Sequence, residues 1–320
     1  MVSSPKSEIF KNNSSVTRFQ KIKKKFWKDR YLYLIFTLPF LYFVIFHYLP
    51  IYGVIISFVN YKPLKGVFGS NWVGLQYYIE FFTDPYAYKL MRNTALLSFY
   101  SIIFGFPVPI ILALSLNELT REWFKRSVQT VSYLPHFIST VVVAGMVKSF
   151  TNSDGIVSQL IVALGGEIPK PPLIARPDWF REIYVISGVW QHAGWASILY
   201  LAALSGIDPQ LYEAATIDGA GRFQKMWYVT IPGLVPTIII LLLLDLGRIM
   251  VVGWEKILLL YTGNTYETAD VLQTYIYRRG IESTDFGYAT AVGVVQGLIG
   301  LIFVMVANSI AKRTSETSLW

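Results

Sequence analysis

The sequence contains no cysteine among its 320 residues, so neither a disulfide nor a thiolate metal site can form. Histidine occurs only three times and never in an H-E-x-x-H pattern, and no other His/Asp/Glu spacing suggests a metal. There is no G-x-x-x-x-G-K-[ST] loop for a nucleotide and no G-x-S-x-G turn for a serine nucleophile. If ATP drives this chain, another chain must bind it. Charge is also scarce: 15% of residues are Asp, Glu, Lys or Arg, against roughly a quarter in soluble proteins. An ordinary soluble domain is therefore excluded.

What is abundant is apolar: 53% of the chain is hydrophobic. Roughly 20 consecutive apolar residues cross a bilayer as a helix. Six stretches qualify: Tyr31 to Val59, Met91 to Leu116, Val131 to Phe150, Ile183 to Ser205, Leu234 to Tyr261 and Tyr288 to Ala311. None alternates as a strand would, so an all-α membrane bundle of about six transmembrane helices is expected rather than a barrel. The first run begins after some thirty polar residues and exceeds the length of a signal-peptide core, so it is expected to stay in the mature protein.

The Lys/Arg distribution predicts orientation. With six spans both termini share a side, and that side carries sixteen Lys and Arg against nine in the alternate loops. Residues 1–30 form a basic tail on the cytoplasmic side, 31–311 the membrane domain, and 312–320 a second cytoplasmic tail. The polybasic tail can bind anionic lipid at about 1 kcal/mol per charge or act only as a topology signal. It has no folded surface for nucleic acid. The segment NELTREWFKRSVQTVSYLP reads as an amphipathic interfacial helix. The loops on the far side are longer and aromatic, suited either to the interfacial belt or to a docking partner.

Charges inside the spans are costly and mark function or pairing. Asp245 and Arg248, three apart on the fifth span, would share a helix face and either pair or line a path. Glu255 and Lys256 lie nearer that span's outer end. On the fourth span, GVWQHAGWASILY places Gln191, His192, Trp195 and Tyr200 where aromatic faces and hydrogen-bonding groups suit a polar, ring-shaped solute. A lone helical histidine is more often a packing residue, and the same holds for His47 and His136.

The segment LYEAATIDGAGRFQKMWYVTIPGLVP interrupts two apolar runs. Asp208 caps a short helix with Pro209 in its first turn. Leu211, Ala214 and Ala215 lie on its surface, and Gly219 supplies the positive φ of a reversal. Asp218 is placed to cap a second helix ending at Pro232. A stiff helix-turn-helix over 208–232 thus projects toward the cytoplasm, with Glu213 offered to a cation on another protein.

These residues resemble the permease subunits of binding-protein-dependent ABC importers. That family's signature is EAA, three residues, Gly, nine residues, Ile, one residue, Leu-Pro. Here Glu213, Ala214, Ala215 and Gly219 match, followed by Val229 and Ile231-Pro232. YEAATIDGAGRFQ is similar to the carbohydrate branch. GWEKILLLYTGNTYETADVLQTYIYRRG and YATAVGVVQGLIGLIFVMVANSIAKR resemble the subgroup for complex oligosaccharides, including uronic-acid polymers such as alginate. The resemblance implies a type I importer bundle in the bacterial inner membrane, multi-pass, with a cytoplasmic coupling helix and no enzyme activity of its own. It further implies a non-identical sister permease, two ATPase subunits holding ATP and Mg, and an extracytoplasmic solute-binding protein. Glu213, Ala214, Ala215, Asp218, Gly219 and Pro232 would then meet the ATPase.

Three other classes compete. An ion-coupled secondary transporter would rely on Asp245, since no internal repeat is visible. A channel would need a filter-like segment, and none is evident. An enzyme acting on sugars would need paired carboxylates, such as Glu255 with Asp270 or Asp285.

Overall fold

A computed structural model describes residues 25–314. Most of the expected basic tail, residues 1–24, and the end of the C-terminal tail, residues 315–320, lie outside the described residues. The chain divides into two units, 1–54 and 55–320. In the first, α1 (Arg30–Phe43) passes into a π turn at Val44–Tyr48, and none of its residues is buried. It opens the helical stretch Arg30–Phe58, 29 residues long and strongly apolar.

The second unit begins with a hairpin of β1 (Val59–Lys62) and β2 (Gly66–Trp72), paired Val59 to Trp72 with a bulge between Asn60 and Lys62. These strands depart from the all-α bundle that the sequence predicts. Pro63 and Gly66, whose φ is +66°, turn the chain. Next come α2 (Gln76–Thr83), α3 (Pro85–Tyr100) and α4 (Pro107–Asn117). Asp84 starts α3, its side chain accepting from the Tyr86 amide at 2.8 Å. A π turn at Ser101–Gly105 joins α3 to α4, making one 33-residue span.

The chain continues through α5 (Glu122–Tyr133), α6 (Thr140–Thr151), α7 (Ile156–Ala163) and α8 (Pro177–Ser205). After α8 come α9 (Pro209–Ile217), α10 (Arg222–Lys225), α11 (Ile231–Gly247) and α12 (Trp254–Leu260). The last elements are α13 (Tyr266–Ala269), α14 (Leu272–Tyr277) and α15 (Phe286–Thr314). The amphipathic helix expected before the third span is α5, which buries none of its residues.

Two expected spans are not continuous helices. The third is broken at Ile138 and Ser139, where Glu122–Phe137 and Thr140–Ala163 meet at 100°. The fifth ends as α11 at Gly247, and Arg248 to Gly253 run irregularly before α12. Among the described residues four helices are long and apolar enough to cross a membrane, or five with the bent pair, fewer than the six expected. The fourth expected span, α8, has 29 residues and so runs about 44 Å. It falls short in apolarity because one of its faces packs into the bundle, burying Phe180, Tyr184, Gln191, Gly194 and Tyr200. A helix wrapped by protein can carry polar groups that a lipid-facing helix cannot.

Packing against α8 is close. A Cβ added to Gly194 would stand 2.0 Å from the Ser132 carbonyl oxygen, so only glycine lets α5 approach here. Leu97, Val143, Phe180, Ile257 and Leu260 form a core around the middle of this unit. Phe81, Leu90, Leu272 and Tyr288 form a second one, knitting α2, α3, α14 and α15 together.

Candidate functional site

Residues 208–232 fold as a braced projection. The Asp208 side chain accepts from the Gln210 amide at 2.9 Å and Pro209 opens α9, as the sequence predicts. Gly219 takes φ +76° and reverses the chain. Asp218 does not cap the second helix: it stands at the end of α9, and α10 starts from Gly221, whose amide donates to Gln224 Oε1 at 2.7 Å. Nor does that second helix stop at Pro232. Residues 222–247 form one 26-residue span with a π turn at Met226–Thr230, and the wider turn admits Pro232 immediately after it.

The projection is tied down at its base. Arg222 pairs with the Glu118 carboxylate and donates through Nη2 to the Glu118 carbonyl at 2.6 Å, fastening the loop to the end of α4. The Tyr212 hydroxyl lies 3.1 Å from Thr230 Oγ1, linking the two limbs. Ile207 fills the space beside Gly233, where a Cβ would meet its Cδ1 at 2.7 Å. No local sequence pattern ties Arg222 to a residue 104 positions earlier. Outward, Glu213 and Ala214 are exposed, Ala215 is half-buried, and no carboxylate partner or cation engages Glu213 among the described residues. Beside them Ile217 is 86% exposed and Phe223 78%, a bare apolar surface on an otherwise rigid element.

A cavity of about 540 Å³ runs within the second unit. Its walls come from α3 and α4, from α8 between Tyr184 and Tyr200, from α11, and from the irregular segment before α12. Gln191, His192, Tyr200, Asp245 and Arg248 all line it. Trp195 stands apart, stacked on His136 with ring centroids 4.7 Å apart and 2° between planes. His192 Nδ1 is 3.2 Å from His136 Nδ1. Arg248 ends the helix, its amide donating to the Asp245 carbonyl at 3.0 Å, and both residues face the same cavity. No ion pair within 4.0 Å joins their side chains among the described residues. Glu255 and Lys256 also line this cavity.

Both helix breaks are held by donors from other helices. Gln191 Nε2 donates to the Ile138 carbonyl at 3.1 Å, so this residue serves the first break as well as the cavity. At the second break the Ser98 hydroxyl donates to Ile249 O, and Gln296 Nε2 to Met250 O at 2.6 Å. Broken backbone survives inside a membrane protein only when its polar groups are satisfied or line an aqueous cavity. Here the donors satisfy the freed carbonyls, and Ile249 also lines the cavity.

The end opposite the 208–232 projection is locked by ion pairs. Arg278 closes on Asp270 through two hydrogen bonds, at 2.7 and 2.5 Å, and Tyr86 and Thr274 donate to the same carboxylate. Burial alone would lower the Arg278 guanidinium, but the Asp270 carboxylate outweighs it and holds it above its ordinary pKa. Asp270 is fully buried, and Asp285 sits 3.1 Å from Arg279. Neither is free to serve with Glu255 as a hydrolytic carboxylate pair.

The decisive comparison is with protein families. The model for binding-protein-dependent transport system inner membrane components matches residues 105–316. This chain belongs to that family. The polygalacturonan/rhamnogalacturonan transport system permease protein YteP of Bacillus subtilis (strain 168) is 41% identical over 308 residues, 94% of this chain and 95% of its own length. Protein LplB of the same organism is 42% identical over 294 residues, 92% of each chain. Among solved structures, the bacterial alginate ABC transporter in complex with alginate pentasaccharide-bound periplasmic protein superposes with TM-score 0.84. It is 40% identical, covering 92% of this chain and 99% of that one. The chain is therefore a membrane-embedded permease of the type I importer fold and, like its relatives, part of a transport system. Membership also argues against transport coupled to an ion at Asp245.

Proposed function

We propose that this chain forms one half of the translocation pathway of an ATP-driven importer for oligosaccharides, uronic-acid-containing ones among them. A solute-binding protein delivers the sugar from outside, a non-identical sister permease completes the pathway, and two ATPase subunits holding ATP and Mg work from the cytoplasmic side. Both termini lie in the cytoplasm, in keeping with the Lys/Arg excess on that side. The observation that carries this function is the braced yet outwardly bare projection over 208–232, whose exposed Glu213 makes no ion pair among the described residues. The substrate class is supported by the relatives, which include permeases for polygalacturonan/rhamnogalacturonan and alginate.

Glu213, Ala214, Ala215, Asp218 and Gly219 sit in a groove of the ATPase, and Pro232 marks where the projection joins the membrane helix. Closure of the ATPases moves the projection, and Arg222 passes that movement to α4 while the continuous 222–247 helix passes it to the cavity wall. Rigid connections of this kind convert a local push into alternating access. In the pathway Gln191, His192, Tyr200, Asp245 and Arg248 present donors, acceptors and one aromatic face to the sugar, and Trp195 supports His136 behind them.

The test is co-purification followed by reconstitution. After mild detergent extraction the chain should bring down an ATPase and a second permease, and liposomes holding that complex and its binding protein should take up oligogalacturonides only with ATP. Glu213→Ala should weaken ATPase recovery. A chain that purifies alone and transports without ATP would overturn this function.

A further inference from the structure

We propose that Lys256, together with Arg248, forms a carboxylate-recognition site in the wall of the central cavity, selecting acidic over neutral saccharides within the permease itself. This inference rests on the function proposed above and adds a residue-level site to it. Lys256 is only 6% exposed, yet it lines the cavity. Its Nζ makes a single long hydrogen bond, 3.4 Å to the Tyr184 carbonyl, and lies 5.2 Å from the centre of the Tyr184 ring. Among the described residues no carboxylate comes within 4.0 Å of it.

Those contacts do not balance its burial. A cation over an aromatic ring contributes about 0.5–2 kcal/mol. Removing an ammonium from water costs several kcal/mol even after relaxation. Two of the three ammonium protons also lack an acceptor among the described residues. The cavity leaves room for an acceptor to be supplied by what occupies it. Glu255 cannot close on Lys256 from the adjacent position, because neighbouring residues on a helix face apart.

The local backbone explains how the lysine comes to be there. Helix α11 stops at Gly247, the irregular stretch Arg248–Gly253 forms part of the cavity wall, and α12 then carries Lys256 inward against α8. Arg248, on the same wall, makes no ion pair within 4.0 Å among the described residues, although the Asp245 carboxylate lies near enough for the two charges to interact. Two cations thus face one cavity beside the Tyr184 and Tyr200 rings. Asp245 and Glu255 on that wall can accept hydrogen bonds from sugar hydroxyls, so the lining suits a ring carrying both hydroxyls and a carboxylate.

The test is calorimetric titration of the purified permease–ATPase complex, without binding protein, with trigalacturonate and with the same trisaccharide after carboxyl reduction. Wild type should prefer the acid by about tenfold or more. Lys256→Met should bring the two affinities together, and Lys256→Arg should keep the preference. An unchanged preference in Lys256→Met, an equal loss of both ligands, or no preference in wild type would each overturn the site. A wild-type complex with no acid preference that still imports oligosaccharide with ATP leaves the proposed function standing. One with acid preference but no ATP-dependent uptake overturns the proposed function and keeps the site.

Discussion

Gln296 Nε2 donates a 2.6 Å hydrogen bond to the carbonyl of Met250, tying α15 to the irregular stretch between α11 and α12. Gln296 is 6% exposed and Met250 likewise 6%, so water is not at hand to replace the bond. Gln296→Leu leaves a buried carbonyl unsatisfied, at a cost of about 1–3 kcal/mol. Thermal unfolding of the purified complex should show a lower Tm for this variant, while Gln296→Glu, which keeps the size but loses the donor when ionised, should be at least as unstable. An unchanged Tm would mean that the break does not depend on α15.

Gly194 tests the approach of α5 to α8. Because an added Cβ would meet a backbone oxygen at 2.0 Å, no rotamer can relieve Gly194→Ala and the helices must separate. Overpacking of this kind typically costs about 1–3 kcal/mol. The variant should express poorly or lose Tm, whereas Gly293→Ala, with nothing within 4 Å of its added Cβ, should match wild type in the same assay.

The turn at Gly219 separates backbone geometry from surface chemistry. Nothing lies within 4 Å of a Cβ there, so only the positive φ resists substitution. Gly219→Asn should retain coupling, Gly219→Ala should lose a little at about 1 kcal/mol of backbone strain, and Gly219→Pro should uncouple ATP hydrolysis from uptake. Equal uptake per ATP in all three would show that the reversal is not part of the lever.

Arg222 should matter for coupling and hardly at all for stability. Its pair with Glu118 is 65% and 31% exposed, and surface pairs contribute at most about 1 kcal/mol. Arg222→Ala should therefore leave Tm nearly unchanged while lowering sugar imported per ATP hydrolysed. A fall in Tm with intact coupling would assign the pair to folding alone.

At the opposite end, the Arg278 to Asp270 pair is a structural lock, with side chains 21% and 0% exposed. Arg278→Met strands a buried carboxylate, for which losses of about 3 kcal/mol are usual. Unfolding of the complex should show it, and the double variant Arg278→Met/Asp270→Leu should recover part of the loss. No recovery would mean that Tyr86 and Thr274, rather than the charge, govern the site.

Much of this molecule is legible in its sequence. Long apolar runs with few charges predict helices whatever their neighbours, because in lipid every backbone group must bond within its own segment. The helix and reversal over 208–219 are local too: Asp208, Pro209 and Gly219 act through their own φ and side-chain hydrogen bonds. What could not be read is whatever depends on distant donors. Apolar runs look continuous at Ile138 and at Arg248 to Gly253, yet both break, since Gln191, Ser98 and Gln296 from other helices satisfy the freed carbonyls.

By itself, then, the sequence determined a membrane bundle, the projecting loop with Glu213 at its surface, and a family signature, all set by period, cap and spacing within a few turns. Only the tertiary structure decided that five of the six pathway candidates share one cavity, that Trp195 stacks outside it, and that Arg222 anchors the loop to α4. It also decided that Lys256 lines this cavity with no carboxylate within 4.0 Å among the described residues. These arrangements join residues tens to hundreds of positions apart, and packing, not local preference, selects them.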